Sequence, residues 1–308
     1  METINCAVIY EWEYDDDFVS ILSNKLSAMN ITHRVFHAGE LKGTLDKVKE
    51  RELNFRCVLD RASDVDENAE ALVTMLRRRG TRIVNDPVEI RHASDKASMH
   101  LEFITAGIYV PYTIIISPYS TQREVKLSIG ELARLGRPFI IKPANTTGGG
   151  IGVVTGAEGL QEVIETRQHN KDDKYLLQKK VEPIQTNGRR AWFRPFYVFG
   201  KVLICWWDDQ THLYYEATED EISRFALSEV DKIVRRIHDV CKLEFFSTEI
   251  ALSEDRQFIV IDYVNEMCDM RIKSKHYDGV PDTVVEEIAA RLAVGVRELI
   301  EQRKQISA

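Results

Sequence analysis

A glycine-rich segment with a lysine just before it has the composition of a phosphate-binding loop. The apolar, β-branched residues 139–141 predict a strand that leads into Lys142, and residues 151–154 predict a second strand. The segment that joins them has almost no side-chain bulk and contains Thr146, Thr147, Gly148, Gly149, Gly150 and Gly152. Backbone N–H groups and hydroxyls at such a hairpin tip can close over phosphate oxygens, with the charge of Lys142 beneath them.

The spacing of these glycines excludes two common phosphate-binding motifs. A Walker loop or a dinucleotide fingerprint needs a helix directly after the glycines, whereas a strand is predicted here. No Gly-Lys-Ser/Thr follows, and the glycines at 150, 152 and 156 do not have G-x-G-x-x-G spacing. The alternative is an ordinary surface hairpin whose turn needs positive φ. Three consecutive glycines exceed that need, so the composition favours phosphate binding.

Two carboxylates interrupt apolar strands in the last quarter of the chain. Glu249 lies in Ser-Thr-Glu-Ile-Ala-Leu and Asp262 in Ile-Val-Ile-Asp-Tyr-Val, on neighbouring antiparallel candidates. A carboxylate in a buried sheet is costly unless it is paired or bound to a metal. With Asn265 near the strand end, the two acids supply the oxygen ligands that magnesium prefers. The alternative is that each acid lies on a solvated face and forms a salt bridge, but the pair together favours a metal.

Strands and helices alternate in the N-terminal part that precedes these residues. Residues 6–10, 32–36, 55–59 and 82–84 predict strands, and apolar spacing over 18–26 and 69–76 predicts helices. This alternation is typical of a small parallel α/β unit.

The remainder of the chain changes from mixed to strand-rich. Helices are expected over 90–104 and 127–135 and around 160–164, and strands over 113–116 and 175–181. Further on, strands are expected over 191–199, 201–207, 246–252 and 258–264, with a long amphipathic helix over 222–237 and a terminal helix from Thr283. We therefore expect an α/β fold that becomes α+β in its C-terminal part.

Composition and charge limit the class of protein and its partners. The 308 residues are 44% hydrophobic and 29% charged, which is ordinary for a soluble globular protein, and the net charge of -8 argues against nonspecific nucleic-acid binding. No apolar run is long enough to span a bilayer, and acids occupy the N-terminus where a signal peptide carries bases. The five cysteines include no C-x-x-C, and no Cys/His cluster indicates zinc. We expect a cytoplasmic protein with reduced thiols.

Taken in order, these elements resemble those of ATP-grasp enzymes over nearly the whole chain. The resemblance rests on Lys96 in Ser-Asp-Lys, Lys142 before TTGGGIGVV, the strand exit Gln178-Lys179-Lys180-Val181-Glu182, Arg194 in a strand before Gly200, and Glu249 with Asp262 and Asn265. Their order and the chain length are most similar to those of ribosomal-protein glutamate ligases and glutathione synthetases.

The resemblance implies an architecture and a reaction. It implies an N-terminal parallel α/β domain over 1–88, a central lid subdomain over 89–178 and a C-terminal antiparallel-sheet subdomain over 179–308, with ATP between the last two. The implied reaction joins a small-molecule or peptide carboxylate to an amine through an acyl phosphate, giving ADP and phosphate. The alternatives are a kinase that phosphorylates a hydroxyl on the same scaffold and a nonenzymatic ATP-binding regulator. The resemblance leaves open whether the protein forms a homo-oligomer.

The resemblance also implies roles for individual residues. Lys96 and Lys142 would contact ATP phosphates beneath the loop over 146–152, and Arg194 would face the transferred phosphoryl group. Backbone groups of Gln178, Lys179, Lys180 and Val181 would line the adenine, with Glu182 near the ribose. Glu249, Asp262 and Asn265 would hold magnesium.

Two departures from the pattern concern the substrate and the metal. Relatives often have Asp-x-Arg where this chain has Trp192-Phe193-Arg194, so a substrate-side acid is missing. They also have Glu-x-Asn, whereas Asp262 and Asn265 are three apart and would face oppositely unless the strand ends between them, so Glu266 is an alternative ligand. An acidic substrate is one hypothesis for a set of basic residues that are otherwise solvated: Arg189, Arg190, Arg271, Lys273, Lys275 and His276.

Overall fold

The structure is a computed structural model that describes residues 1–145, 152–186 and 188–306. Most of the predicted phosphate-binding loop, namely Thr146, Thr147, Gly148, Gly149 and Gly150, lies outside these residues. Gly152 is described, and its φ of 76° places it in a turn. Of the described residues 152–154 of the second predicted strand, only Val154 is in a strand, because a residue with positive φ such as Gly152 interrupts one.

The N-terminal part forms a four-stranded parallel sheet, as the alternation predicted. Its strand order is β2-β1-β3-β4. In chain order its elements are β1 Glu2–Tyr10, α1 Asp16–Ala28, β2 His33–His37, α2 Leu41–Lys49, β3 Leu53–Arg61, α3 Glu67–Arg78 and β4 Arg82–Val84. The centres of β1 and β3 are buried because helices cover both faces, which explains their continuous apolar runs.

Two short helices follow where a single helix over 90–104 was predicted. They are α4 Pro87–Ser94 and α5 Lys96–Thr105. Asp95 has an extended backbone between them, and its side chain accepts hydrogen bonds from the N–H groups of Ala97 and Ser98. An aspartate that caps a helix in this way starts a new helix rather than continuing the old one. The break makes Lys96 the first residue of α5.

A second, antiparallel sheet of four strands occupies the middle of the chain. Its order is β5-β8-β6-β7. Its elements are β5 Thr113–Ile116, α6 Ile129–Leu135, β6 Phe139–Pro143, β7 Val154–Ala157, α7 Leu160–Thr166 and β8 Tyr175–Lys179. Ser128 and Glu131 form a capping box that fixes the start of α6.

The C-terminal part contains a five-stranded antiparallel sheet of order β13-β12-β11-β14-β15 and a small hairpin of β9 and β10. The strands are β9 Gln185–Thr186, β10 Arg189–Arg190, β11 Trp192–Val198, β12 Lys201–Trp207, β13 Tyr214–Glu216, β14 Phe245–Leu252 and β15 Phe258–Asn265, and the helices are α8 Glu219–Arg224, α9 Ser228–Cys241 and α10 Asp282–Ile306. The long helix predicted over 222–237 is interrupted at Ala226, whose φ is 53°.

The first and third sheets share a hydrophobic core with α1 and α10. A buried ion pair lies at the same junction: Arg61 donates from Nε and Nη2 to the Asp15 carboxylate at 2.7 and 2.9 Å, and from Nη2 to the carbonyl of Cys268 at 2.9 Å. In the described part of the chain, no helix combines the length and apolar character needed to cross a membrane. The domain boundaries after 88 and 178 stay predictions, and the second lies within β8.

Candidate active site

The side chains of Lys96 and Lys142 lie near Asp262, where β6 of the second sheet meets β15 of the third; we call this place the cleft. Lys96 reaches the cleft from the first turn of α5, and its Nζ lies 3.7 Å from Oδ1 of Asp262 on β15. Lys142, on β6, donates from Nζ to the carbonyl oxygen of Ile261 at 3.0 Å. Both lysines are more than nine-tenths buried. The structure therefore brings together two residues expected to contact phosphate and one expected to bind metal.

Irregular pairing of β15 with β14 gives Asp262 and Asn265 the same orientation. Asn265 pairs with Ser247 and Asp262 pairs with Glu249, so three steps along β15 match two steps along β14. The extra residue is a β-bulge, which restores the facing that a regular strand would lose over an odd interval. The strand continues through Asn265. The opposite facing expected for a regular strand is therefore corrected by the bulge and not by a strand end.

A second irregularity lies on the other side of Asp262. Ile250 pairs with Val260 while the adjacent Glu249 pairs with Asp262, so Ile261 is the additional residue on β15. A bulge interrupts the regular ladder, and the Ile261 carbonyl is the one that accepts from Lys142.

Arg194 on β11 completes the charged cluster from the side of Glu249. Its Nη1 lies 3.3 Å from Oε1 of Glu249, and its guanidinium stacks 4.8 Å from the ring centre of Trp207. With the amide of Asn265 oriented to satisfy its neighbours, the amide oxygen accepts from Nη2 of Arg194 at 2.7 Å. The indole N–H of Trp192, two residues before Arg194 on β11, donates to Oε2 of Glu249 at 3.2 Å. The indole thus orients Glu249, a role the sequence did not indicate.

Burial and mutual charge give the members of this cluster different pKa values. Burial is the main cause that lowers the pKa of Lys142 to about 8, with a further contribution from Lys96 and an opposing one from Asp262. Burial tends to raise the pKa of Asp262, but the charges of Lys96, Lys142 and Arg194 outweigh it and lower that pKa. Burial raises the pKa of Glu249 despite Arg194. Asp262 therefore ionises more readily than Glu249.

The donor set suits a hard divalent cation. Asp262 and Glu249 contribute carboxylate oxygens, and Asn265 contributes an amide oxygen, which are ligand types that magnesium accepts. Among the described residues, no three His, Cys, Asp or Glu side chains converge as a metal site, so a site here needs Asn265 or phosphate oxygens as well. Glu266 accepts from Ser94 at 3.4 Å and borders a pocket with Asp60 and Arg61 at the first sheet. The position of Glu266 at that pocket favours Asn265 over Glu266 as the third metal ligand.

The segment expected to line the adenine begins in the last residues of β8. The N–H of Lys179 donates to the carbonyl of Tyr112 at 2.8 Å, so sheet pairing already uses it. Glu182 is held by Lys180 at 2.8 Å and by Arg190 at 3.2 Å, and the hydrogen bond from Lys180 lowers the pKa of Glu182. Its ribose contact and the adenine contacts of 178–181 stay predictions.

Most of the basic residues considered for an acidic substrate have acidic partners. Arg190 binds Asp209 at 2.7 Å, and Lys275 binds Asp17 at 2.5 Å. Arg271 contacts two carboxylates, those of Asp269 at 2.7 Å and Asp278 at 3.1 Å. Arg189 lies near Glu221, and Lys273 lies over Tyr215. An acidic substrate would have to compete with these partners, and its binding here stays a prediction.

Comparison with solved structures assigns the fold. The chain resembles D-alanine–D-alanine ligase from Bacillus anthracis, with 15% identity and a TM-score of 0.63 over 99% of this chain and 100% of that one. It also resembles the ATP-grasp ligase PsnB complexed with minimal precursor, Mg and ADP (13% identity, TM-score 0.61, 96% and 98% of the chains). A RimK domain ATP-grasp protein from Sphaerobacter thermophilus gives 17% identity and a TM-score of 0.62 over 94% and 97%.

The chain therefore has the ATP-grasp fold, as the ordered motifs indicated. No family model matches the sequence, and no curated protein matches it.

Proposed function

We propose that this protein is an ATP-dependent carboxylate–amine ligase that works through an acyl phosphate. The observation that carries the proposal is the convergence of Lys96, Lys142 and Arg194 on the Glu249–Asp262 pair in one cleft. Three cations around two carboxylates suit a triphosphate and its metal better than they suit a neutral ligand. The solved structures of similar fold include ligases complexed with ATP and with Mg and ADP, which supports the same ligands here.

Each residue of the cleft has a proposed task in the reaction. Lys96 and Lys142 bind the phosphates, and Arg194 stabilises the charge that develops as the phosphoryl group passes to a carboxylate oxygen. The attacking carboxylate forms an O–P bond while the bond to ADP breaks. An amine then attacks the acyl carbon, and phosphate leaves with that carboxylate oxygen. No protein nucleophile is required, because positioning and charge supply the catalysis.

Asp262, Glu249 and Asn265 are the proposed magnesium ligands. Magnesium bound there would neutralise charge on the phosphates during transfer. The lowered pKa of Asp262 keeps this side chain anionic at neutral pH, so we assign it the larger share of the metal affinity. Trp192 and Arg194 hold Glu249 in position through one hydrogen bond and one ion pair.

Product analysis after incubation with ATP, magnesium and pools of carboxylates and amines tests the proposal. A ligase releases ADP and free phosphate only when both substrates are present. A kinase would leave the phosphate on a hydroxyl product, and a regulator would bind ATP without turnover. Either of these results would refute the ligase assignment. A thermal-shift screen of amino acids and small peptides with an ATP analogue identifies substrates to use, since ligands stabilise the folded state by mass action.

A further inference from the structure

The residue next to Asp262 lies in a buried hydrogen-bonded network that joins four elements, three of which carry residues of the proposed nucleotide site. The hydroxyl of Tyr263 contacts Nδ1 of His100 at 2.6 Å and accepts from Nε2 of Gln178 at 3.1 Å. Tyr263 is fully buried, and His100 and Gln178 are nearly so. Gln178 also donates to Thr113 at 3.3 Å. The network therefore connects α5, β5 and β8 to β15.

The protonation states of this network are consistent with one hydroxyl serving two partners. Burial, together with the charge of Lys142, lowers the pKa of His100 to about 4, so its ring is neutral at physiological pH. A neutral imidazole has one nitrogen lone pair that can accept the Tyr263 proton, while the Tyr263 oxygen accepts from the Gln178 amide. Buried polar networks that are satisfied in this way hold their members in one arrangement.

Each partner of Tyr263 lies beside a residue of the proposed site. His100 follows Lys96 by four residues on α5, so the two side chains share one face of the helix and reach neighbouring residues of β15. In the second sheet Ile140 pairs with Gln178 and Lys142 pairs with Leu176, which puts Lys142 and Gln178 on the same face. Lys142 Nζ lies 4.9 Å from the centre of the Tyr263 ring.

We propose that Tyr263 is a positioning residue whose hydroxyl holds β8 in fixed relation to Asp262 on β15. The last residues of β8, Gln178 and Lys179, begin the segment expected to line the base. This inference rests on the proposed function, since it assumes that a nucleotide spans both elements. The bulge in β15 turns Asp262 and Asn265 toward Arg194, and the hydroxyl of Tyr263 between them contacts His100 and Gln178.

A ligand that spans two binding elements depends on their relative position, whereas a ligand that contacts only one does not. In Tyr263→Phe the aromatic ring stays beside Lys142, and only the hydroxyl is lost. We expect the affinity for ADP with magnesium to fall about tenfold, the scale of one or two lost hydrogen bonds in a buried network. The affinity for tripolyphosphate with magnesium should not change, because that ligand has no base.

Two control variants separate positioning from other effects. Lys142→Met should weaken the binding of both ADP and tripolyphosphate, because it removes a phosphate contact. Tyr175→Phe removes the hydroxyl of a second fully buried tyrosine, which lies on β8 and donates to the Thr166 carbonyl at 3.1 Å. This variant should leave the ADP affinity unchanged. Gln178→Met removes the same tie from the other partner and replaces Tyr263→Phe if that variant does not fold.

Calorimetric titration of these variants decides the matter. Selective loss of ADP affinity, with no additional loss in the Tyr263→Phe/Gln178→Met double variant, supports the positioning role. Wild-type ADP affinity in Tyr263→Phe, equal losses for both ligands, or an equal loss in Tyr175→Phe would overturn it. In that case the proposed function would stand as long as the wild type binds ADP. A wild type that binds no ADP would overturn both.

Discussion

At the scale of single residues, the cleft concentrates charge that nucleotide binding would rearrange. Lys142 is the most informative member, because burial lowers its pKa to about 8, where solution conditions can titrate it. Lys96 and His100 on α5, Glu249 on β14 and Asp262 on β15 surround it. An anion bound beside Lys142 would favour the protonated amine and raise this pKa.

We therefore predict that the affinity for ADP is constant from neutral pH to about 8 and falls at higher pH. Above the free-protein pKa the amine must take up a proton on binding, so the affinity should decrease by up to about tenfold per pH unit until the pKa of the complex is reached. Titration calorimetry in buffers of different ionisation enthalpy measures both the affinity and the proton uptake. A flat profile, or one that persists in Lys142→Met, would remove Lys142 from the site.

Asp262 should be the residue that controls magnesium dependence. Asp262→Asn keeps the side-chain shape but removes the anionic oxygen. Product formation should fall by orders of magnitude, because weaker magnesium binding leaves the charge on the phosphates unneutralised during transfer. Higher magnesium should restore part of the rate. Asp255→Asn, on the exposed turn between the same strands, is the matched control and should behave as wild type. Coinciding magnesium curves for the two variants would show that Asp262 is not a ligand.

The residue types of this site were predictable from sequence, but their facing was not. Lysines, an arginine and carboxylates in apolar strands indicate phosphate and metal chemistry by their cost of burial alone. The three-residue interval between Asp262 and Asn265 predicts opposite facing in a regular strand. The bulge that gives them the same facing depends on how β15 pairs with β14, which the local sequence does not show. The same holds for Tyr263, whose partners His100 and Gln178 come from distant parts of the chain.

At the scale of elements, the break between α4 and α5 aims Lys96 into the cleft. Asp95 caps α5 through two backbone N–H groups and binds Lys174 at 3.1 Å. Apolar periodicity continues across this point, which is why one helix over 90–104 was predicted. The capping geometry outweighs the periodicity, since it satisfies N–H groups that a helix start leaves without partners.

Replacing this cap should affect both stability and nucleotide binding. Asp95→Ala should reduce the free energy of unfolding by about 1 kcal/mol, as is typical for a lost N-cap, and should weaken ADP binding because Lys96 loses its fixed start position. Asp95→Ser retains a capping oxygen and should recover most of both losses. Urea unfolding and ADP titration measure the two effects. Full ADP affinity in a destabilised Asp95→Ala would mean that the cap does not position Lys96.

At the scale of the whole molecule, the core around α10 and the hydrogen bond from Arg61 to the Cys268 carbonyl join the N-terminal sheet to the C-terminal part. Asp15 supplies the counter-charge of Arg61 at this junction. The Asp15–Arg61 contact was invisible to local sequence patterns because its members are far apart in the chain. Alternating strands and helices were sufficient to predict the sheet itself, since burial on both faces leaves a strong apolar signal. The contacts that hold the N-terminal sheet against the C-terminal part join residues that are far apart in the chain.

Breaking the ion pair should therefore destabilise the protein without changing the proposed nucleotide site. Asp15→Asn leaves the buried Arg61 guanidinium without its counter-charge and should cost about 3–5 kcal/mol. The double variant Asp15→Leu/Arg61→Met removes both charges and should recover much of that loss. Denaturant unfolding reports the stability, and ADP affinity measured on the folded fraction should equal that of the wild type. An unchanged free energy of unfolding in Asp15→Asn would show that the pair is solvated in solution.

The most direct test of the proposed ligase function follows an oxygen atom. The protein is incubated with ATP, magnesium, the amine and a carboxylate substrate that carries the heavy oxygen isotope at both carboxylate oxygens, and the released phosphate is analysed by mass spectrometry. An acyl phosphate intermediate requires one labelled oxygen to leave with the phosphate, because the amine displaces phosphate from the acyl carbon. We predict one heavy oxygen in each phosphate released by the wild type. Amide product accompanied by unlabelled phosphate would contradict the acyl-phosphate route.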